Sequence, residues 1–491
     1  MNFNRFGSMV FAIISMAAVL FFSTSAHAAG FDSKVRYIIE VKNIKSAREL
    51  AYHSNWLAQQ GYDIAGTNWR KGQIEVVTDQ NGIANLKRNN YQGVTAQTSF
   101  AGLSAQGIDQ RYLNPAKVEE KLKALNDRYP QFTTLKHIGT SNQGRAIWAL
   151  LVSTTPNPES VEYLQKPTII FDGMHHAREI MTSEVVMDVA EYSLDLLEKQ
   201  TGITPLLSQW NVWIVPMLNV DGNNIVWTSN NMWRKNAATT NGRVHGVDIN
   251  RNYSFSWNKC GGSSGSLGND TYRGVSAASE PETQALQNLA KSIRPTGSLS
   301  YHSYSELVLY PYGCDGVLTG ENTMISSIAQ SLSKLLPTDS SSTKFYTPGA
   351  PWQILYSVDG DSMGFMYGEL GALAFTFEIN QSFQPSFDLK AATVAKHRTA
   401  WTFFMNRMNQ NLLTLKIVDG RTSLPTTAQI GISNIQMVQG EKPYQTNSGG
   451  VFFKVLDPGT YTLTLQLPDG RLQAVNVTMN GQPLEQTVTV N

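Results

Sequence analysis

The residues that could do chemistry crowd into a few short segments. Residues 171–179 read F-D-G-M-H-H-A-R-E, an apolar strand-like run that breaks at Gly173 and delivers two histidines and a glutamate at once. His176 and Glu179 are three apart, so both can reach one point from the start of a helix; His175 and Glu179, four apart, are a rival pair. Imidazole and carboxylate are zinc ligands, and a catalytic zinc takes three protein groups and keeps a position for water. A further imidazole, His302, lies in S-Y-H-S-Y-S (300–305), after a strand-like run. Glu378 closes the apolar F-T-F-E (375–378), where a carboxylate is costly to bury unless it is paired or functional. Beside an activated water such a group can serve as general base. Arg234 in M-W-R-K-N (232–236) and Arg251 in G-V-D-I-N-R-N (246–252) lie in loops. Arginine grips carboxylates through a bidentate fork that lysine cannot copy. Taken singly, each feature has an ordinary reading: a surface His/Glu pair, a hydrogen-bonded core histidine, a solvated loop arginine.

Three regions must position these segments. In 111–410, Asn114-Pro115 opens a helix with an N-cap and a proline at the first helical position; Val118, Leu122 and Leu125 share its apolar face and Pro130 ends it. Strand-like runs at 147–152, 168–171, 212–215, 297–301 and 374–377 then alternate with helical ones. Several are apolar throughout, as suits strands covered on both faces, and the alternation predicts an α/β fold. Residues 35–98 read β-α-β-β-α-β, a ferredoxin-like order, with strands at 36–42, 62–67, 73–78 and 91–97, a Ser46-capped helix to 60 and a short helix at 81–89. A small-residue linker follows at 98–107. Residues 412–491 alternate apolar and polar residues between turn signals at Pro458-Gly459 and Asp469-Gly470, which predicts a small antiparallel β-sandwich.

Composition narrows the class. The chain has 491 residues, 41% of them hydrophobic, too apolar for disorder. Basic and acidic residues balance at 39 and 38, without the basic surplus of a nucleic-acid protein. Residues 1–28 read as an export signal: Arg5, an apolar stretch over 9–22, then A-H-A at 26–28. The stretch is shorter than the ~20 apolar residues a bilayer span needs, so the expectation is a secreted or periplasmic protein with no membrane anchor after signal removal. Cys260 and Cys314 are the two cysteines, and an even count in an exported chain fits one disulfide.

The motifs in order, G-M-H-H-A-R-E, M-W-R-K-N, G-V-D-I-N-R-N, S-Y-H-S-Y-S followed by Y-P-Y-G, and F-T-F-E, resemble the zinc carboxypeptidase A/B family. C-G-G-S-S-G-S from 260, T-Y-R-G from 271 and E-P-E-T from 280 look most like its bacterial carboxypeptidase T branch. The resemblance implies a mixed, largely parallel sheet flanked by helices over 108–410, a propeptide over 30–107 that covers the site until an activating protease removes it, and a transthyretin-like or regulatory-like β-domain over 411–491. It implies that His176, Glu179 and His302 hold one zinc ion, selecting His176 over His175. Glu378 would be the base and then the proton donor, and Arg234 would stabilise the oxyanion. Arg251 and Asn250, helped by Tyr356, would grip the terminal carboxylate, and Arg178 would touch the substrate upstream. Asp248 would steady a ligand histidine. The substrates would be peptide or protein C-termini, losing apolar residues and, through Asp361 in the pocket, Lys or Arg. Asp361 also reads as a plain turn residue in V-D-G-D-S. Departures from the family pattern are Asn231, three before Arg234, and Asn219-Val-Asp-Gly222. Two other readings share the fold: a cell-wall peptidase acting on muropeptide stems, and a non-catalytic peptide-binding protein.

Overall fold

The computed structural model describes residues 34–99 and 107–491. The expected export signal over 1–28 and residues 100–106 of the expected linker lie outside the described residues.

The N-terminal unit forms where its caps and apolar positions place it. Ser46 accepts from the Glu49 amide and starts the helix Ala47–Gln59, which buries Leu50, Ala51 and Leu57. Asp79 does the same for Gln80–Arg88. Together they accompany an antiparallel sheet in the order Asp63–Asn68, Gln73–Thr78, Val35–Glu40, Gly93–Ser99. The last strand runs to Ser99, past the expected end at 97, because its backbone keeps pairing with Val35.

The central unit is built on an eight-stranded mixed sheet: Thr347–Gly349, Leu307–Leu309, Leu373–Ile379, Gly297–Ser303, Thr168–Gly173, Asn211–Val215, Ala146–Val152, Thr133–Thr140. Its middle four strands are parallel and its flanks include antiparallel pairs. Ile169, Ile170, Phe171, Leu299, Phe375 and Phe377 are buried, which is why these strands read as apolar throughout. Helices Met181–Lys199 and Lys390–Gln410 pack on each other, as do Pro281–Ile293 and Ser362–Leu370. Asn114 caps Pro115–Arg128 through the Lys117 amide, as expected.

Parallel pairing decides where chemistry can gather. Gly297–Ser303 lies between Thr168–Gly173 and Leu373–Ile379, all running the same way, so their carboxyl ends share one sheet edge. The register places His302 beside Glu378 and Tyr301 beside Gly173. The loop carrying His175 to Glu179 leaves from that same edge.

Residues 412–490 form two four-stranded sheets around a core of Leu413, Leu415, Ile430, Phe452, Leu463 and Leu465. The sandwich is not purely antiparallel. Leu484–Val490 lies parallel to Leu412–Asp419, because the chain first crosses to the other sheet, through Gly459–Gln466 and Leu472–Met479, before returning.

Candidate active site

His176, Glu179 and His302 converge. Their candidate donor atoms all lie within 4.8 Å of one another, and all three side chains are buried. His176 Nδ1 is 2.7 Å from Glu179 Oε1, His302 Nδ1 is 3.2 Å from Glu179 Oε2, and the two Nδ1 atoms are 3.2 Å apart. His176 and Glu179 sit in the turn before the helix Met181–Lys199 rather than in its first turn. That turn follows Met174, whose φ of 60° is a left-handed conformation seldom taken by a long side chain.

His175 is not part of the cluster. Its Nε2 pairs with the Tyr253 hydroxyl at 2.8 Å, and its Nδ1 lies 3.3 Å from Asp172. The ring stacks on His302 with centroids 5.1 Å apart. Ser300 donates to Asp172 at 2.6 Å, and burial still pushes the Asp172 carboxyl up to about 7. The doubled histidine is the one trace in the sequence of this Asp172–His175–Tyr253 support. The departing segment at Asn219 also serves here. Asn219 caps Val220–Thr228, and its Nδ2 donates to the His175 carbonyl at 2.9 Å, so the loop keeps its anchor.

Asp248 works from the other side. Its Oδ1 is 3.2 Å from His176 Nε2 and accepts from the Asn250 amide at 3.0 Å. Its Oδ2 takes Arg234 Nε at 3.1 Å and Nη2 at 2.7 Å. Burial alone would raise its pKa, but Arg234 and His176 hold it well below the usual carboxylate range. With His176 Nε2 so engaged, Nδ1 is left facing Glu179 and His302. Burial lowers the His302 pKa, favouring the neutral imidazole that binds metal. Burial pushes Glu179 up, yet the histidines pull it below its ordinary value, so it stays a carboxylate. Two imidazoles and one carboxylate, with His176 turned inward by Asp248, are a donor set that suits a zinc ion.

Glu378 makes no side-chain hydrogen bond among the described residues. Burial, then the Glu179 charge, push its carboxyl well above the ordinary range, against the pull of Arg234 and Arg251. Arg251 is buried; its Nε donates to the Gly262 carbonyl at 2.9 Å, its Nη1 to the Asn250 carbonyl at 2.8 Å, and its guanidinium lies 5.9 Å from the Tyr356 ring centre. Gly262 must be glycine, since a Cβ there would lie 2.6 Å from the Val358 backbone. Cys260 and Cys314 form a disulfide beside it, and Asp359 Oδ2 accepts from the amides of Cys260 and Gly262. Asn250 accepts from the Ser362 amide at 2.9 Å, tying the arginine turn to the helix Ser362–Leu370. Asp361 caps that helix, one oxygen accepting from Gly364 at 2.8 Å, while the other makes no hydrogen bond among the described residues. The turn reading of Asp361 therefore holds for one oxygen.

Arg178 is not open to solvent. Asp63, from the N-terminal unit, pairs with it bidentately at 2.7 and 2.9 Å, and Phe383 lies beneath its guanidinium at 4.0 Å. Burial raises the Asp63 pKa, but Arg178 more than offsets this and holds the carboxylate ionised. The same unit meets both neighbours of Tyr356: Ser54 donates to the Leu355 carbonyl, and Asn55 accepts from the Ser357 amide at 2.9 Å. Glu75 accepts from the Tyr304 hydroxyl at 2.5 Å. Nothing in the sequence singled out Asp63, Asn55 or Glu75, which are ordinary polar residues until the two units meet.

The zinc carboxypeptidase family matches residues 118–400, a segment that contains every one of the candidate ligand, acid-base and arginine positions. The chain belongs to the zinc carboxypeptidase family. Relatives include carboxypeptidase B of Canis lupus familiaris, 30% identical over 289 residues, which are 58% of this chain and 67% of that protein. Carboxypeptidase B of Bos taurus is 29% identical over 290 residues, again 58% and 67%. The chain thus spans about two-thirds of the length of these relatives. Among solved structures, carboxypeptidase A from Helicoverpa armigera superposes with a TM-score of 0.63 at 23% identity, covering 76% of this chain and 96% of that one, which shows the shared fold. Family membership makes the chain a metallocarboxypeptidase, a peptide hydrolase. Among the described residues no helix is long and apolar enough to cross a membrane.

Proposed function

We propose that the chain is an exported zinc carboxypeptidase of the carboxypeptidase T type, made with an inhibitory N-terminal unit, that removes apolar and Lys/Arg residues from peptide C-termini. The observation that carries the reading is the convergence of His176, Glu179 and His302 beside Glu378 and the buried Arg251.

His176, Glu179 and His302 would hold the zinc, which when bound polarises a carbonyl and eases deprotonation of water towards neutral pH. Glu378 takes a proton from the attacking water and returns it to the departing amine. Arg234, locked on one side by Asp248, presents its positive charge where the oxyanion develops. Arg251, with Asn250 and Tyr356, pairs with the terminal carboxylate, which makes the enzyme an exopeptidase. Asp361 directs its free oxygen to the terminal side chain. Residues 30–107 act as a prodomain: Asp63 occupies Arg178, and Ser54 and Asn55 hold both sides of Tyr356 until a protease separates the units.

The test is a release assay on processed protein with peptides that differ only in the last residue, each matched by a C-terminally amidated copy. Free carboxylates should be cleaved and amides left intact, with apolar, Lys and Arg ends preferred. Equal turnover of amides would remove Arg251 from its role. Turnover confined to muropeptide stems would move the assignment to a cell-wall peptidase.

A further inference from the structure

The C-terminal β-domain touches the helix Ser362–Leu370 at its C-terminal end. The N-terminal end of this helix lies in the site: Asp361 caps it and Asn250 holds its first amide. Its far end is held from the β-domain. The Lys442 amide donates to the Gly368 carbonyl at 2.8 Å. Tyr367 donates to Glu321 at 2.8 Å, and the same carboxylate oxygen takes Lys454 of the β-domain at 2.6 Å. Lys454 reaches on to the Gly371 carbonyl at 3.3 Å, capping the helix C-terminus with a cation. The Lys454 and Glu321 side chains are 2% and 6% exposed, so this is a buried ion pair across the domain junction. Gly371 closes the helix, and a Cβ there would meet the Tyr444 ring of the β-domain at 2.5 Å.

A second contact reaches the helix flank. Glu441 of the β-domain accepts from the Tyr312 hydroxyl. Tyr312 stacks on Phe255 at 5.0 Å and meets Tyr367 edge-on at 5.6 Å. Phe255 lies in the groove left by Gly364 and Gly368, one turn apart on the same helix face. Tyr312 is also two residues from Cys314, and Gly313 between them accepts from the Val358 amide in the loop that carries Tyr356 to Asp361.

We infer that the β-domain shapes the terminal-side-chain pocket from outside it, with Glu441 and Lys454 as positioning residues that set the seat of Ser362–Leu370 and so the place of Asp361. The inference rests on the reading of Asp361 as a pocket residue. A nine-residue helix spans only ~14 Å, so a shift allowed at its far end is carried to Asp361 with little loss.

The experiment uses the full processed chain and measures kcat and KM on matched peptides ending in Leu and Arg. Glu441→Ala should raise KM by about three- to ten-fold, the range of one ordinary lost hydrogen bond, with kcat within two-fold. Glu441→Gln, which can still accept from Tyr312, should restore KM. Lys454→Met combined with Glu321→Gln, which leaves no unpaired charge, should raise KM likewise. A lowered thermal midpoint with KM unmoved in both variants would overturn the inference and leave the domain a stabiliser only. Asp361→Asn tests the underlying reading separately: it should lower the Arg-to-Leu preference. If it does not, the pocket assignment fails, whereas a KM response to Glu441→Ala on both peptides would still uphold the seating of Ser362–Leu370 by the β-domain.

Discussion

At the scale of single residues, the site is organised by carboxylates that differ in company. Asp248 is ringed by Arg234, His176 and the Asn250 amide and stays ionised. Glu179 is held ionised by two histidines. Burial and then the Glu179 charge act most strongly on Glu378, and its pKa rises. Acids whose environments push them apart in this way are candidates for different roles, proton transfer for the raised one and binding for the lowered ones. Glu378→Gln should therefore cut kcat by roughly 10²–10⁴-fold, the usual worth of a general base, while bound zinc, measured by elemental analysis, remains at the wild-type ratio. Loss of metal in that variant would place Glu378 among the ligands instead. Most of these residues were legible from the sequence because each motif pairs a chemical side chain with a strand end or a loop. The choice between His175 and His176 was not legible from spacing alone, since both can reach Glu179. The tertiary contact between His175 and Tyr253 decides it.

At the scale of elements, the N-terminal unit and the loops around Tyr356 are joined by a few buried polar contacts. The Asp63–Arg178 pair is the deepest of them, with side chains 3% and 2% exposed. Breaking one partner of such a pair leaves an uncompensated charge, a loss of about 3–5 kcal/mol. Asp63→Asn should loosen the docked unit, so the unprocessed chain should hydrolyse a short peptide at least ten-fold faster than the unprocessed wild type. If the variant stays silent until processed, with an unchanged thermal midpoint, Asp63 does not hold the site closed. Elements were read from the sequence with small errors. Caps such as Ser46 and Asn114 are local hydrogen bonds that depend on few residues. The meeting of the elements was not read, because Asp63 and Arg178 are 115 residues apart and carry no mutual signal.

At the scale of the whole molecule, one core residue links stability to pH. His397 of Lys390–Gln410 is fully buried among the rings of Tyr301, Tyr346 and Phe377, and neither ring nitrogen has a partner among the described residues. Burial holds its pKa well below the ordinary value. The unfolded chain binds this proton near pH ~6.5 and the folded chain does not, so stability is full above that pH and falls as pH drops below it. The slope from this one group approaches 1.4 kcal/mol per pH unit. Denaturant unfolding of His397→Phe between pH 7 and 5 should show a flatter dependence than the wild type by about that amount per unit. An unchanged slope would mean that His397 already finds a proton acceptor in the folded state.

Local pattern alone determined the α/β class and the caps at Ser46 and Asn114, and it pointed to His176, Glu179, His302 and Glu378 as candidates, because these depend on residue type and short spacing. The tertiary structure decided what long-range closure decides: the parallel register that sets His302 beside Glu378, the exclusion of His175 from the donor cluster, the grip of Asp63 on Arg178, and the seat of Ser362–Leu370 between the site and the β-domain. Side chains far apart in the chain acquire their partners only when burial brings them together, and no local rule encodes that meeting.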